Sequence, residues 1–192
     1  EPLTLVSPEG RWTIETVRVD GLDMVSLEHL AAIFKLATNE DRATGSLTVS
    51  YQDRDIVLSP EQGLASVAGR LVDLPSPPVR TPQGWLVPVE FIGRALAHVY
   101  DRNLELRRPS RLVIVGEVHI PQITVREEHL DNQARVNFEI APATDYTVVQ
   151  EGGQVIVQFE ADVIDAILPV SVPGPLVAGV GGRRGEGTGG AG

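Results

Sequence analysis

Cysteine is absent from the 192 residues, and with it go disulfides, thiolate nucleophiles and cysteine zinc sites, while the compartment stays open on this ground. Lysine is almost absent too: Lys35 is the one lysine among 16 basic residues, a mark of genome composition rather than of function. Positive charge as a whole is short, and the formal net charge of −10 argues against binding nucleic acid, which needs cations to displace counterions from phosphate. The same charge disfavours a seat on anionic lipid. Aromatic residues make up 5%, so the core must rest on Val, Leu, Ile and Ala, which suit strands and short helices. No apolar run approaches the ~20 residues that span a bilayer, so no membrane insertion is expected. No signal peptide is visible, and a chain that opens on Glu1 rather than Met reads as a processed form or an excised fragment.

What is present is ordinary for a globular protein: 42% hydrophobic and 22% charged residues, in a length that suits one large domain or two small ones. "RWTIETVRVDG" alternates imperfectly at Trp12, Ile14, Val17 and Val19 before Gly21, giving a strand and a turn. From Ser26, an N-cap residue, Leu27, Leu30, Ala31, Ile33, Phe34 and Ala37 follow helical spacing. "GSLTVSYQDRDIVLS" reads as two strands around Gln52-Asp53-Arg54, and "LASVAGRLVDL" as a pair around Gly69. "PSPPVRTPQG" is a stiff loop. Trp85, Leu86 and Val87 form a short strand, Pro88 is placed in a first helical turn, and Val89, Ile92, Gly93, Leu96 and Val99 make one apolar face. "NLELRRPSRLVIVG" follows as a hairpin turning at Pro109 and Ser110.

The second of these segments repeats the first. Val25 aligns with Val87, Leu27 with Val89, Glu28 with Glu90, Leu30 with Ile92 and Phe34 with Leu96; "LTVS" then matches "LVIV" after a further shift of three. This is an internal repeat of strand, helix and hairpin. Past Gly116 no helical pattern survives. Val136, Phe138 and Ile140 alternate with Arg135, Asn137 and Glu139, and Val155, Val157 and Phe159 with Gln154, Ile156 and Gln158, with Gly152-Gly153 as a hairpin turn. The expected fold class is α+β and β-rich: a first domain of strands and hairpins with two short repeated helices, at 12–116, and an incomplete all-β sandwich at 118–169. The Gly-rich stretch 179–192 cannot pack a core and is expected to be disordered.

Little in the sequence is arranged for bond making. None of His29, His98, His119 and His129 lies in a metal-ligating spacing. Glu127, Glu128, His129 and Asp131 in "REEHLDN" are expected at a solvated hairpin tip. Glu28 and Glu90, equivalent in the repeat, are expected to complement a helix dipole, an effect of about 0.3–1 kcal/mol. No Ser lies in GxSxG, and "GVGGRRGEG" lacks GK[ST] and a following helix. Trp12, Trp85, Tyr51, Tyr100 and Tyr146 could stack on sugar rings if they share a face. Of these, Trp85, Tyr100 and Tyr146 are the candidate ligand-surface residues. No catalytic residue, metal or cofactor is expected.

"WLVPVEFIGRALAHVYDRNLELRRPSRLVIVG" resembles the "VPLRFIAEALG…V.WD…..V.I" pattern of the copper amine oxidase N-terminal-like, or stalk-type, domain, with Val87, Pro88, Val89, Phe91, Ile92, Ala95 and Leu96 in its places. Glu90 stands for the pattern's Arg, Ala97 for the Gly after Leu, and Asn103 to Glu105 for its Trp-Asp pair. "GRLVDLPSPPVRTPQGWLVP" is similar to that family's "G…L..PP….G..YVP" connection. "ARVNFEIAPATDYTVVQEGGQVIVQFEAD" is similar to the amidase N-terminal (AMIN) domain's "TRVV.DL….Y.V…….L.ID". In bacterial envelope proteins such modules precede a zinc-dependent N-acetylmuramoyl-L-alanine amidase domain and are thought to hold it on the cell wall. The resemblance therefore implies an exported, non-catalytic segment of the periplasm or cell wall, with peptidoglycan or another cell-envelope polymer as partner, and no copper site. A different expectation is a structural or assembly module that pairs through exposed strand edges.

Overall fold

A computed structural model describes residues 1–131, 133–161, 163–168 and 177–182. The Gly-rich stretch from 183 onward, expected to be disordered, lies outside the described residues. The chain divides into two compact units, Glu1–Val118 and His119–Gly192.

The repeat organises the first unit. Strand β4 (Leu22–Ser26) runs into helix α1 (Leu27–Phe34), and strand β11 (Gly84–Pro88) runs into a π-helical turn (Ile92–Leu96) continued by α2 (Ala97–Val99). Ser26 caps α1 as its sequence predicts, its Oγ accepting the His29 N–H at 3.2 Å, and Leu27, Leu30 and Phe34 point inward. Lys35 ends that helix in the left-handed region, its N–H returning to the Ala31 carbonyl. The second copy departs from expectation. Pro88 is the last residue of β11, opposite Met24, rather than part of a helical turn. At a strand end its missing N–H costs the ladder nothing, and the next donor, Val89 N–H, reaches the Asp23 carbonyl at 3.0 Å.

β4 and β11 pair antiparallel with Val25 opposite Val87, the two residues that the repeat makes equivalent. An antiparallel pair centred on equivalent residues creates a local pseudo-two-fold axis. β3 (Thr16–Val19) and β10 (Val79–Thr81) extend it, giving a sheet in the order β10-β11-β4-β3. Val25 and Val87 are fully buried on the axis. The stretch "RWTIETVRVDG" is thus two strands rather than one: β2 (Gly10–Ile14) ends at a buried Ile14, and the chain changes sheet at Glu15 before β3.

Each flanking sheet mixes the copies. β1 (Leu3–Ser7) and β2 join β12 (Leu104–Arg107) and β13 (Leu112–Val115) in the order β12-β13-β1-β2. On the other side β5 (Ala37–Glu40), β6 (Leu47–Tyr51), β7 (Arg54–Leu58), β8 (Leu64–Val67) and β9 (Arg70–Asp73) lie in chain order. The hairpin preceding one helix therefore shares a sheet with the hairpin following the other. β7 has no counterpart, and β1 consequently meets β13 directly and parallel, with Leu5 opposite Val113. The core between these layers is Leu, Ile, Val and Ala with Phe34 and Phe91, as the scarcity of aromatics requires.

In the second unit the described residues form strands only. β14 (Gln122–Leu130) lies between β15 (Gln133–Ala141) and a parallel β18 (Asp165–Ile167), while β16 (Tyr146–Glu151) and β17 (Gln154–Phe159) make a separate hairpin. Gly152 and Gly153 turn that hairpin with φ of 54° and 80°, the pair of left-handed residues such a turn requires.

Candidate functional site: a polar cleft walled by Trp85

Where the start of α1, the β5–β6 hairpin and the β10–β11 turn converge, the first unit holds a cleft of about 310 Å³. Glu28, Thr38, Glu40, Leu47, Arg80, Thr81, Pro82, Gly84 and Trp85 line it. The Glu28 carboxylate accepts the Trp85 main-chain N–H at 2.9 and 3.2 Å and the Ser26 hydroxyl at 3.1 Å. Gly84 makes room for it: a Cβ there would stand 2.1 Å from Glu28 Oε1, and φ is +124°. Glu40 forms an ion pair with Arg80 and accepts the Trp85 indole Nε1–H at 3.4 Å. Arg80 in turn lies 5.4 Å from the indole centroid, in cation–π range, with its side chain 63% exposed. The result is an aromatic wall with two carboxylates and one exposed, ion-paired cation. It is suited to holding polar or charged groups, and it contains no paired nucleophile and base.

The three candidate residues are not brought together. Trp85 lines the cleft. Tyr100 does not: its ring packs edge-on to Phe34 at 5.2 Å and beside Tyr51 at 4.7 Å. Burial, with Asp101 close by, pushes the Tyr100 phenol above its ordinary value and carries Tyr51 up to about 12. Tyr146 belongs to the second unit, where it is 60% exposed, with its centroid 6.2 Å from Phe159. Glu127, Glu128 and His129 are within strand β14 rather than at a tip; the ladder to β15 continues to Leu130 opposite Gln133, leaving Asp131 alone at the turn. His129 Nε2 meets Glu127 Oε1 at 3.2 Å.

Sequence reasoning passed over the arginines. Glu90 is buried and pairs with Arg108 at 2.6 Å, which goes beyond a helix-dipole role. Arg111 pairs with Asp23 at 2.8 Å, and that bond holds the Asp23 carboxyl below the usual carboxylate range. Arg18 and Arg80 occupy equivalent repeat positions, each opposite the residue, Asp23 or Trp85, that is its repeat counterpart on the next strand. That coincidence is the signal by which the cleft could have been found.

The family model described as copper amine oxidase N-terminal domain matches residues 11–107, half of the chain and every residue of the cleft. The chain belongs to the copper amine oxidase N-terminal domain family. No curated protein and no solved structure matches it. The family's name invites a test for copper on the donors present. In this copper amine oxidase N-terminal domain His29 is on α1 and His98 on α2, and among the described residues no group of three or more His, Asp or Glu could hold a metal ion. The described donor set does not fit a copper centre.

Proposed function

We propose that the chain is a non-catalytic region that binds peptidoglycan or another cell-envelope polymer and holds an N-acetylmuramoyl-L-alanine amidase on the cell wall, after export to the periplasm or wall. The observation that carries this reading is the Trp85 cleft: a half-buried indole beside two carboxylates and an arginine, the pairing of a flat apolar face with hydrogen-bonding groups that suits a saccharide or peptide-bearing polymer. Membership of a family named for an N-terminal domain agrees with a supporting rather than a catalytic part. The AMIN-like second unit would add a second weak site, and its two sheets, touching through Phe138 and Phe159 at 6.4 Å, suit a sandwich. Linked weak sites gain effective concentration. The test is co-sedimentation of the chain with purified peptidoglycan. The parent chain should pellet with the polymer and Trp85→Ala should remain largely in the supernatant; a parent chain that never pellets defeats the reading.

One observation favours a second reading. Among the described residues β16 and β17 form a two-stranded sheet, each strand with an edge open to pairing. On one face of it Tyr146, Val148 and Val155 are 60%, 54% and 65% exposed, which suits a module that pairs through exposed strand edges in an envelope or secretion assembly. In that case Val148→Lys with Val155→Lys would leave the chain monomeric in sedimentation velocity where the parent forms a larger species. An unchanged distribution would remove this alternative.

A further inference from the structure

The internal repeat supplies a second copy of the cleft, and that copy is filled. The pseudo-two-fold axis carries Glu28 onto Glu90, Trp85 onto Asp23, Arg80 onto Arg18 and Leu47 onto Leu112. At the second location the turn between β12 and β13 sends in two arginines from the chain itself. Arg108 binds Glu90 at 2.6 Å, and Arg111 binds Asp23 at 2.8 Å and Thr16 Oγ1 at 3.2 Å. At the first location the connection between β5 and β6 curls on itself instead. Asp41 Oδ1 accepts the Ala43 N–H at 2.8 Å, and Arg42 is exposed and is not among the residues lining the cleft. The place taken by guanidinium groups in one half of the fold is thus an open cleft in the other. Only Arg80, at the rim, stands in for them.

From this we infer that the Trp85 cleft is a receptor for an organic cation, a primary ammonium or a guanidinium, which enters between Glu28, Glu40 and the indole by displacing Arg80. Three features make the exchange feasible. The Arg80–Glu40 pair is exposed, and pairs of that kind are weakly held. With Arg80 swung out, the lining keeps two carboxylates and no cation. The indole face that Arg80 covers is then free for the incoming charge, which it attracts through its quadrupole. The source of that cation rests on the cleft being the binding surface proposed above: it is then the free amines of the polymer's peptide arms rather than its sugar rings.

The probes are N-acetyl-lysine amide and N-acetyl-arginine amide, with neutral N-acetyl-norleucine amide as control, titrated into the full chain. The readout is the Trp85 indole N–H resonance, one of two indoles in the protein. Saturable shifts with both cations and none with the control are expected. Glu40→Gln should weaken them roughly fivefold, and Arg80→Ala should tighten them by a similar factor because a built-in competitor is gone. A merely structural Arg80 would give no such gain. Shifts that fail to saturate, that the neutral amide reproduces, or that weaken in Arg80→Ala overturn the inference. Co-sedimentation with polymer before and after N-acetylation of its amines separates the two ideas. Binding that survives acetylation overturns the cation site and leaves the polymer reading standing. Amine probes that bind a chain which never pellets leave the cation site standing, remove the polymer, and point to a basic polypeptide as its source.

Discussion

Replacing Arg111 with methionine should open the first unit at its seam. The guanidinium donates from Nη1 to Asp23 Oδ2 at 2.8 Å, from Nε to the Pro2 carbonyl at 3.0 Å, and from Nη2 to Thr16 Oγ1 at 3.2 Å and to the Glu1 carbonyl. Methionine keeps the apolar stem and removes every donor. A hydrogen bond to a charged group contributes about 1.5–3 kcal/mol when shielded, and a half-open ion pair less than that. The side chains of Arg111 and Asp23 are 26% and 20% exposed, so the discount is moderate and a net loss of about 2–3 kcal/mol is expected. For a unit of this size that lowers the melting temperature by about 8–12 °C. Both indoles, Trp12 and Trp85, belong to the first unit, so tryptophan fluorescence during heating reads that unit alone. The pH dependence supplies an independent check. Asp23 has its folded pKa depressed by the Arg111 bond, so its contribution is present above the ordinary carboxylate range and is lost as pH falls through the folded value. The gap between parent and Arg111→Met should therefore narrow in acid. A variant within about 0.5 kcal/mol of the parent at neutral pH, or a gap indifferent to acid, would refute the reasoning.

Gly84→Ala should cost about 2–3 kcal/mol in urea unfolding, because φ is +124° and the new Cβ would collide with the Glu28 carboxylate; adding Glu28→Ala should restore part of the loss. Val25→Ala and Val87→Ala, equivalent across the axis and fully buried, should each destabilise by about 2 kcal/mol and agree with one another within about 0.5 kcal/mol; a large disparity would deny the pseudo-symmetry. Tyr51, whose pKa is raised to about 12 by burial and then by Asp101, should stay protonated in the folded chain while an unfolded tyrosine ionises near 10. Its contribution to stability is therefore complete below pH 10 and disappears on the way to 12. An absorbance titration of the parent against Tyr51→Phe should show the missing high-pH step, and a step near 10 would contradict the assignment.

Local structure was largely readable in the sequence because local chemistry decides it. Ser26 caps α1, Gln52-Asp53 and Gly152-Gly153 turn their hairpins, and the helical spacing of Leu27, Leu30 and Phe34 gives the buried face. Errors arose where tertiary pairing overrules local preference. Pro88 suits a helical first turn, yet β4 recruits it into a strand. The run from Arg11 to Val19 alternates nearly well enough for one strand, and only the need to serve two sheets divides it. The repeat was visible, but that Val25 would lie against Val87 was not, since similarity between segments carries no information on their mutual placement. For the same reason the cleft was half hidden. Trp85 stood out as a rare aromatic, whereas Glu28, Glu40 and Arg80 are ordinary surface residues until the fold sets them side by side.

The parallel contact between β1 and β13 has a mechanical consequence. With Thr4, Leu5 and Val6 in register with Leu112, Val113 and Ile114, tension applied to the segments flanking this unit pulls the two strands lengthwise in opposite directions. Their cross-links must then yield together under shear rather than peel one after another. Pulled from the β1 and β13 ends, a unit of this design resists stretching, and its yield point lies in the few residues where β1 meets β13.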